Sequence, residues 1–197
     1  GMGTKISAFF ATTAMIISIP SVVILTAFLL SLYGAAIRFT VPMCFAIAFM
    51  PMFAIGGLTG LPLGLPASDV HLHDTYYVIG HFHYVVVPGS IFAIFAGIYH
   101  WYPKVTGRQL NNFLGRIHFW LSVIFANVVF APMFFQGMAG VSRRLYDQTV
   151  YAHGEAVQSL TKMSSFGAWM LGLSQLPFIL NFFMSIWAGK KATDNPW

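Results

Sequence analysis

Apolar residues run through this chain in five long stretches, separated by short polar breaks. Each stretch is long enough to cross a bilayer, which takes about 20 helical residues. The first runs from Ser7 to Tyr33, with Pro20 as an expected kink. The second runs from Val41 to Leu58, with Pro42 well placed at a helix start and Pro51 inside. The third runs from Tyr76 to Tyr102 and is closed by Pro103; the fourth runs from Asn112 to Met138, and the fifth from Gln158 to Gly189. No strand-like alternation, low-complexity run or internal repeat interrupts them. Between the second and third stretches, Gly56 to Pro66 is rich in Gly and Pro and is expected to form a mostly apolar loop. The predicted fold is all-α: an integral membrane helical bundle of five transmembrane helices in a single membrane domain, residues 1–197.

Composition agrees. Of 197 residues, 57% are hydrophobic and only 8% charged, whereas soluble domains carry about 25% charged residues. Such a chain cannot keep a soluble surface. A sequence pI near 9.5 would suggest nucleic acid in a soluble protein, but here the Lys and Arg residues sit at span ends and act as topology signals. Five spans put Arg38, Lys104, Arg108, Arg116, Lys190 and Lys191 on one side, and Lys5, Arg143, Arg144 and Lys162 on the other. The excess places the first side, with the carboxy terminus, inside. The single Cys44 lies in an apolar run, which excludes a disulfide framework and a thiolate metal site. Gly1 precedes Met2 without a basic leader or a cleavage motif, so no signal peptide is expected and the chain looks like part of something larger.

The chemistry gathers in His71-Leu-His-Asp-Thr-Tyr-Tyr-Val-Ile-Gly-His-Phe-His-Tyr84, which holds four of the seven histidines. His81 and His83 fall inside the third apolar stretch, where ionisable groups are costly and need a reason. Two residues apart on a helix, their rings point about 200° apart. They cannot share one small ion, but each could ligate a separate flat cofactor on either flank, with Phe82 between them. The alternative is a pair of histidines hydrogen-bonded to neighbouring helices. Haem iron takes axial histidine, so two haems are one form the cofactor reading takes. Asp69, His71, His73 and Asp74 form a polar cluster at the membrane edge, and no Lys or Arg lies between Arg38 and Lys104 to pair with it. Its ligand types suit a divalent cation such as Mg or Mn; the plainer reading is a loop with helix-capping Asp74 and Thr75. Arg143 and Arg144 serve as anchors, bind lipid headgroups or clamp carboxylates such as haem propionates. His100, His118 and His153 are read as interface, packing and loop histidines.

Taken together, these segments resemble subunit I of the haem–copper oxidases, the cytochrome c oxidase type. His73-Asp-Thr-Tyr-Tyr-Val followed by His81-Phe-His-Tyr-Val is similar to the family's tenth helix. Ala14-Met-Ile-Ile-Ser-Ile-Pro20 resembles the eighth, and Gly56-Gly-Leu-Thr-Gly60 the end of the ninth. Trp101-Tyr-Pro-Lys-Val-Thr-Gly107 with Leu110-Asn111 resembles the link to the eleventh, and Gly137 to Arg144 the loop before the twelfth. The resemblance implies five helices of a twelve-helix oxidase core in a bacterial or archaeal plasma membrane or the mitochondrial inner membrane. It implies that His81 is the proximal ligand of the high-spin haem that faces copper, and His83 one axial ligand of the low-spin haem. Phe82 would pack between two haems of the A type. Asp69, Arg143 and Arg144 would serve the propionates, and His73 and Asp74 a Mg or Mn site. The implied reaction is reduction of dioxygen to water coupled to proton translocation, with cytochrome c or quinol as electron donor. The implied partners are subunits of types II and III, lipid, and the rest of subunit I, which carries the copper ligands and the other low-spin ligand; nucleic acid is not among them.

The rival readings are a nitric oxide reductase relative and a non-catalytic haem-binding or assembly subunit derived from an oxidase. Two departures stand out. Everything before the family's eighth helix is missing, which leads us to expect either a split subunit or a partial sequence. The family's common form also has a lysine four residues after the proline of the eighth helix, where this chain has Ile24. Isoleucine cannot relay protons, so another proton route or altered pumping is expected.

Overall fold

The structure, a computed structural model, describes residues 3–147 and 154–196. Its helices are α1 (Thr4–Ile16), α2 (Ser18–Leu32), α3 (Val41–Gly64), α4 (Pro66–Leu72), α5 (Tyr76–Val86), α6 (Ala93–Thr106), α7 (Asn112–Met138), α8 (Gly154–Leu173) and α9 (Leu176–Ala188), with a π-helical turn at Val87–Phe92 joining α5 to α6. Among the described residues five membrane-length spans result: Thr4–Leu32, Val41–Gly64, Tyr76–Thr106, Asn112–Met138 and Glu155–Ala188.

The proline positions explain why these spans are jointed. A proline lacks an N–H, and its ring clashes with the carbonyl four residues earlier. For Pro20 that carbonyl belongs to Ile16, and the first span breaks beside it at Ile17. Pro88 sits in the π-helical turn, which absorbs the same conflict without ending the span. The fifth span breaks at Ser174 and Gln175, just before Pro177. There the Leu171 carbonyl accepts from the Ser174 hydroxyl at 2.6 Å and from the Gln175 amide at 3.2 Å. Side chains thus replace backbone donors that lipid could not supply.

Two expectations are corrected. Gly56 to Gly64 is helix rather than loop, because α3 continues through Pro62 to Gly64. An apolar segment at membrane depth must satisfy its own backbone, and a helix does so. The third span likewise continues through Pro103 and stops at Gly107, whose φ of 68° ends the helix in the left-handed conformation glycine adopts readily.

Helix α5 lies between α3 and α7, and α7 also packs on α8 and α9. The core is aromatic: Phe45, Phe92, Tyr99 and Phe119 are buried at the junction of α3, α6 and α7. Helices α1 and α2 touch α3 but bury no residue, so most of their apolar surface is left uncovered.

Candidate functional site

Helix α5 starts at Thr75, whose hydroxyl accepts the Tyr77 N–H at 3.3 Å, the N-cap role serine and threonine fill best. At 1.5 Å per residue, His81 and His83 lie about 8 and 11 Å beyond Tyr76 along the axis. Their rings flank the helix on opposite sides, as the spacing predicts. His81 turns toward α3, where its Nδ1 lies 2.9 Å from the Gly56 carbonyl and 3.3 Å from the Thr59 hydroxyl. His83 turns toward α7 and stacks on Phe130, with ring centroids 4.1 Å apart. Its Nδ1 lies 2.8 Å from the carbonyl of Ile79, one turn back on its own helix. Phe82, between them in sequence, is 40% exposed.

These contacts decide the tautomers. A carbonyl oxygen only accepts, so each Nδ1 must carry the proton and donate it. Each Nε2 then holds its lone pair on a ring oriented by its Nδ1–H bond to the protein, which is the usual condition of a metal-ligating histidine. Both rings therefore fit the requirement for an axial ligand to iron. His118 does not. It is fully buried, with Nε2 3.2 Å from the Gln175 amide oxygen and Nδ1 3.2 Å from the Tyr99 hydroxyl. Both nitrogens are spent inside a nest of Phe45, Phe95 and Phe178 rings, as befits a packing histidine. His100 makes an edge contact with Trp101 at a centroid distance of 5.2 Å; His153 lies outside the described residues.

Two glycines allow the approach of α3 to α5. A Cβ on Gly56 would stand 2.8 Å from the Tyr84 carbonyl carbon and oxygen, and one on Gly60 2.8 Å from Cε1 of His81. These distances are well inside van der Waals contact. The opposite flank is equally close: a Cβ on Gly137 of α7 would collide with the backbone of Tyr77. Sequence reasoning assigned Gly56 and Gly60 to a loop and missed this role. The available signal was their four-residue spacing, the small-residue pattern by which membrane helices approach closely.

At the Thr75 end of α5, the polar cluster meets the segment after α7. The Arg143 N–H donates to the Asp74 carbonyl at 2.8 Å, and the Tyr76 N–H to Val141 at 3.0 Å. The Arg143 Nε–H donates to Asp74 Oδ1 at 2.7 Å, and its Nη2 pairs with the same oxygen. The expectation that this cluster lacks a charge partner is therefore corrected. Arg143 is distant in sequence but adjacent in space, and opposite charges join there. The guanidinium hydrogen bond holds the Asp74 carboxyl below its usual range, against a smaller desolvation effect. His73 stands 3.5 Å from Asp74 Oδ2 and 3.7 Å from Asp69 Oδ2. Asp69, His73, Asp74 and Arg143 are thus brought together. Among the described residues, no group of three or more His, Cys, Asp or Glu side chains is arranged to hold a metal ion. Asp74 and Arg144 both adopt positive φ, 57° and 64°; aspartate tolerates this more readily than arginine.

The family described as Cytochrome C and Quinol oxidase polypeptide I matches residues 1–170. Cytochrome c oxidase subunit 1 of Synechocystis sp. is 44% identical over 191 residues, 96% of this chain and 33% of that protein. Quinol oxidase subunit 1 of Bacillus subtilis is 38% identical over 198 residues, covering 100% of this chain and 30% of that one. A heme-copper terminal oxidase dimer solved by cryo-EM aligns with a TM-score of 0.81 at 17% identity, over 100% of this chain and 39% of its own, a likeness of fold. The chain spans about a third of the length of the curated relatives it matches.

Proposed function

Because this chain belongs to the subunit I family of cytochrome c and quinol oxidases, we propose that it forms part of the oxygen-reducing core of a terminal oxidase. In this reading His81 would hold the high-spin haem and His83 would be one of the residues that hold the low-spin haem. The observation that carries it is that each Nδ1 is committed to a carbonyl, leaving each Nε2 free on opposite flanks of α5. When bound, the haem held by His81, together with copper, would supply the chemistry of dioxygen reduction, and the haem held by His83 would supply electron relay. The copper ligands and the second low-spin ligand come from subunit I residues outside these 197, and electron entry from partner subunits.

The chain's own residues then have distinct tasks. Gly56 and Gly60 hold α3 against the His81 ring and fix its orientation. Phe130 stacks on His83 and keeps its plane from turning, while Phe82 offers an aromatic edge between the two ligands. At the end of the helix, Asp69, Arg143 and Arg144 manage the propionate charge. His73 and Asp74 supply two donors to a divalent cation, which needs further oxygen ligands from another chain. On this reading protons do not pass through α2 at Ile24, an apolar side chain 48% exposed on the helix surface. The positively charged Arg108 and Lys191 ends lie on the inner side, following the positive-inside bias.

The test is a dithionite-reduced minus oxidised spectrum, with and without carbon monoxide, on the purified complex containing this chain. The wild-type complex should show one CO-reactive haem and one unreactive haem. His81→Ala should remove the CO-reactive species and His83→Ala the unreactive one. Both signals persisting in both variants would overturn the ligand assignment.

A further inference from the structure

Among the described residues, the Thr59 hydroxyl is the side-chain group from another helix that reaches the Nδ1 edge of His81, at 3.3 Å. It also lies 2.8 Å from the Ile55 carbonyl and 2.9 Å from the Gly56 carbonyl. A hydroxyl has one proton. Nδ1 carries its own proton, so the Thr59 proton goes to a carbonyl, and its oxygen is left facing the imidazole N–H. Threonine in a membrane helix commonly bonds back to a carbonyl one turn earlier. Here one of the two carbonyls within reach is the acceptor that His81 uses from a different helix.

We propose that Thr59 is a positioning residue that weakens the His81–Gly56 hydrogen bond and so lowers the donor strength of Nε2 toward iron. The inference rests on His81 being an iron ligand, and concerns how strongly it binds. The Gly56 oxygen accepts the His81 N–H at 2.9 Å and lies 2.9 Å from the Thr59 hydroxyl, whose one proton it shares with the Ile55 carbonyl at 2.8 Å. Electron density given to the hydroxyl is withdrawn from the imidazole proton. The 3.3 Å contact also splits the N–H between two acceptors, the hydroxyl being the longer and weaker one. A ligating histidine gains basicity as its distal N–H is bound more strongly, and in a water-poor interior such effects are not screened. The ring itself is pinned by Gly60 against Cε1, so removing the hydroxyl changes the hydrogen bond more than the ring's position. His83 differs: its N–H goes to a carbonyl of its own helix.

The experiment is resonance Raman spectroscopy of the reduced, purified oxidase complex, reading the iron–histidine stretch of the five-coordinate haem. Thr59→Val keeps the shape and deletes the hydroxyl; Thr59→Ala deletes it with less bulk and serves if the valine variant does not assemble. Both should move the stretch to higher frequency, and Thr59→Ser should restore the wild-type position. An unmoved band in Val and Ala overturns the proposal, and so does a shift to lower frequency, which would make the hydroxyl a net support of the N–H. The His81→Ala complex separates the two levels. A band that survives there means His81 is not the ligand, and both readings fall; a band lost there but unmoved in the Thr59 variants defeats only the tuning role.

Discussion

Substituting Gly56 tests whether the closeness of α3 and α5 is what holds His81 in place. In Gly56→Ala the new Cβ would stand 2.8 Å from the Tyr84 carbonyl and 3.0 Å from the Val85 nitrogen. Carbon contacts settle at about 3.5 Å or more, so the helices must separate by about 0.7 Å. The obstacle is backbone, which cannot rotate away. That separation stretches the Gly56–His81 bond from 2.9 Å to about 3.6 Å, where it ceases to be a hydrogen bond. Overpacking costs about 1–3 kcal/mol and the lost bond about 1 kcal/mol. Replacing glycine by alanine in a helix returns about 1 kcal/mol, leaving a net loss of about 1–3 kcal/mol. Gly57 is the internal control: it sits on the same helix, and a Cβ there meets nothing within 4 Å. For a membrane complex the useful measure is the half-life of thermal inactivation, read beside the haem spectrum. Gly56→Ala should shorten the half-life at least about 5-fold and shift the CO-reactive band, while Gly57→Ala should equal or exceed wild type. A Gly56→Ala complex with wild-type half-life and spectrum would refute the reasoning.

Two further outcomes follow from the polar contacts. Asp74 has a lowered carboxyl pKa, so the stability its pairing contributes is fully present above the ordinary value and is lost as pH falls through the lowered one. Hydrogen exchange at the Tyr76 and Arg143 amides should therefore stay protected in wild type until the pH drops below about 4. Asp74→Asn should be less protected above about pH 4 and approach wild type at lower pH, where the carboxyl is protonated, and an identical profile in the two proteins would show that the ion pair does not hold this junction. His118→Phe should destabilise by about 1–3 kcal/mol despite filling the same aromatic nest, because Tyr99 and Gln175 each lose a buried partner. Unchanged thermal inactivation would show that the histidine contributes only its shape.

The spans were legible because lipid imposes one rule along the whole chain, and Asn112–Met138 was read to the residue. The breaks were harder. Pro20 and Pro103 look alike in sequence, yet one span parts near Ile17 while the other runs on to Thr106; which carbonyls find substitute donors depends on the neighbours. The histidines were legible because helical spacing alone separates their rings. Their tautomers were not, since Gly56 lies 25 residues before His81 and its carbonyl bears no side-chain signal. Arg143 illustrates the same limit. Its partner Asp74 is 69 residues away, and a search for nearby charges along the chain could not find it.

The π-helical turn at Val87–Phe92 makes the third span two phases on one rod. Each residue there advances by less than the 100° of an α-helix, so the residues beyond it are offset from those before. The half that carries His81 and His83 is registered against Gly56, Gly60 and Gly137, while the half that carries Tyr99 and Tyr102 is registered against His118 and the Phe182 carbonyl. A single-residue insertion or deletion within the turn would re-aim the second set while sparing the first. The span is therefore a place where length variation separates two functions that a uniform helix would have locked together.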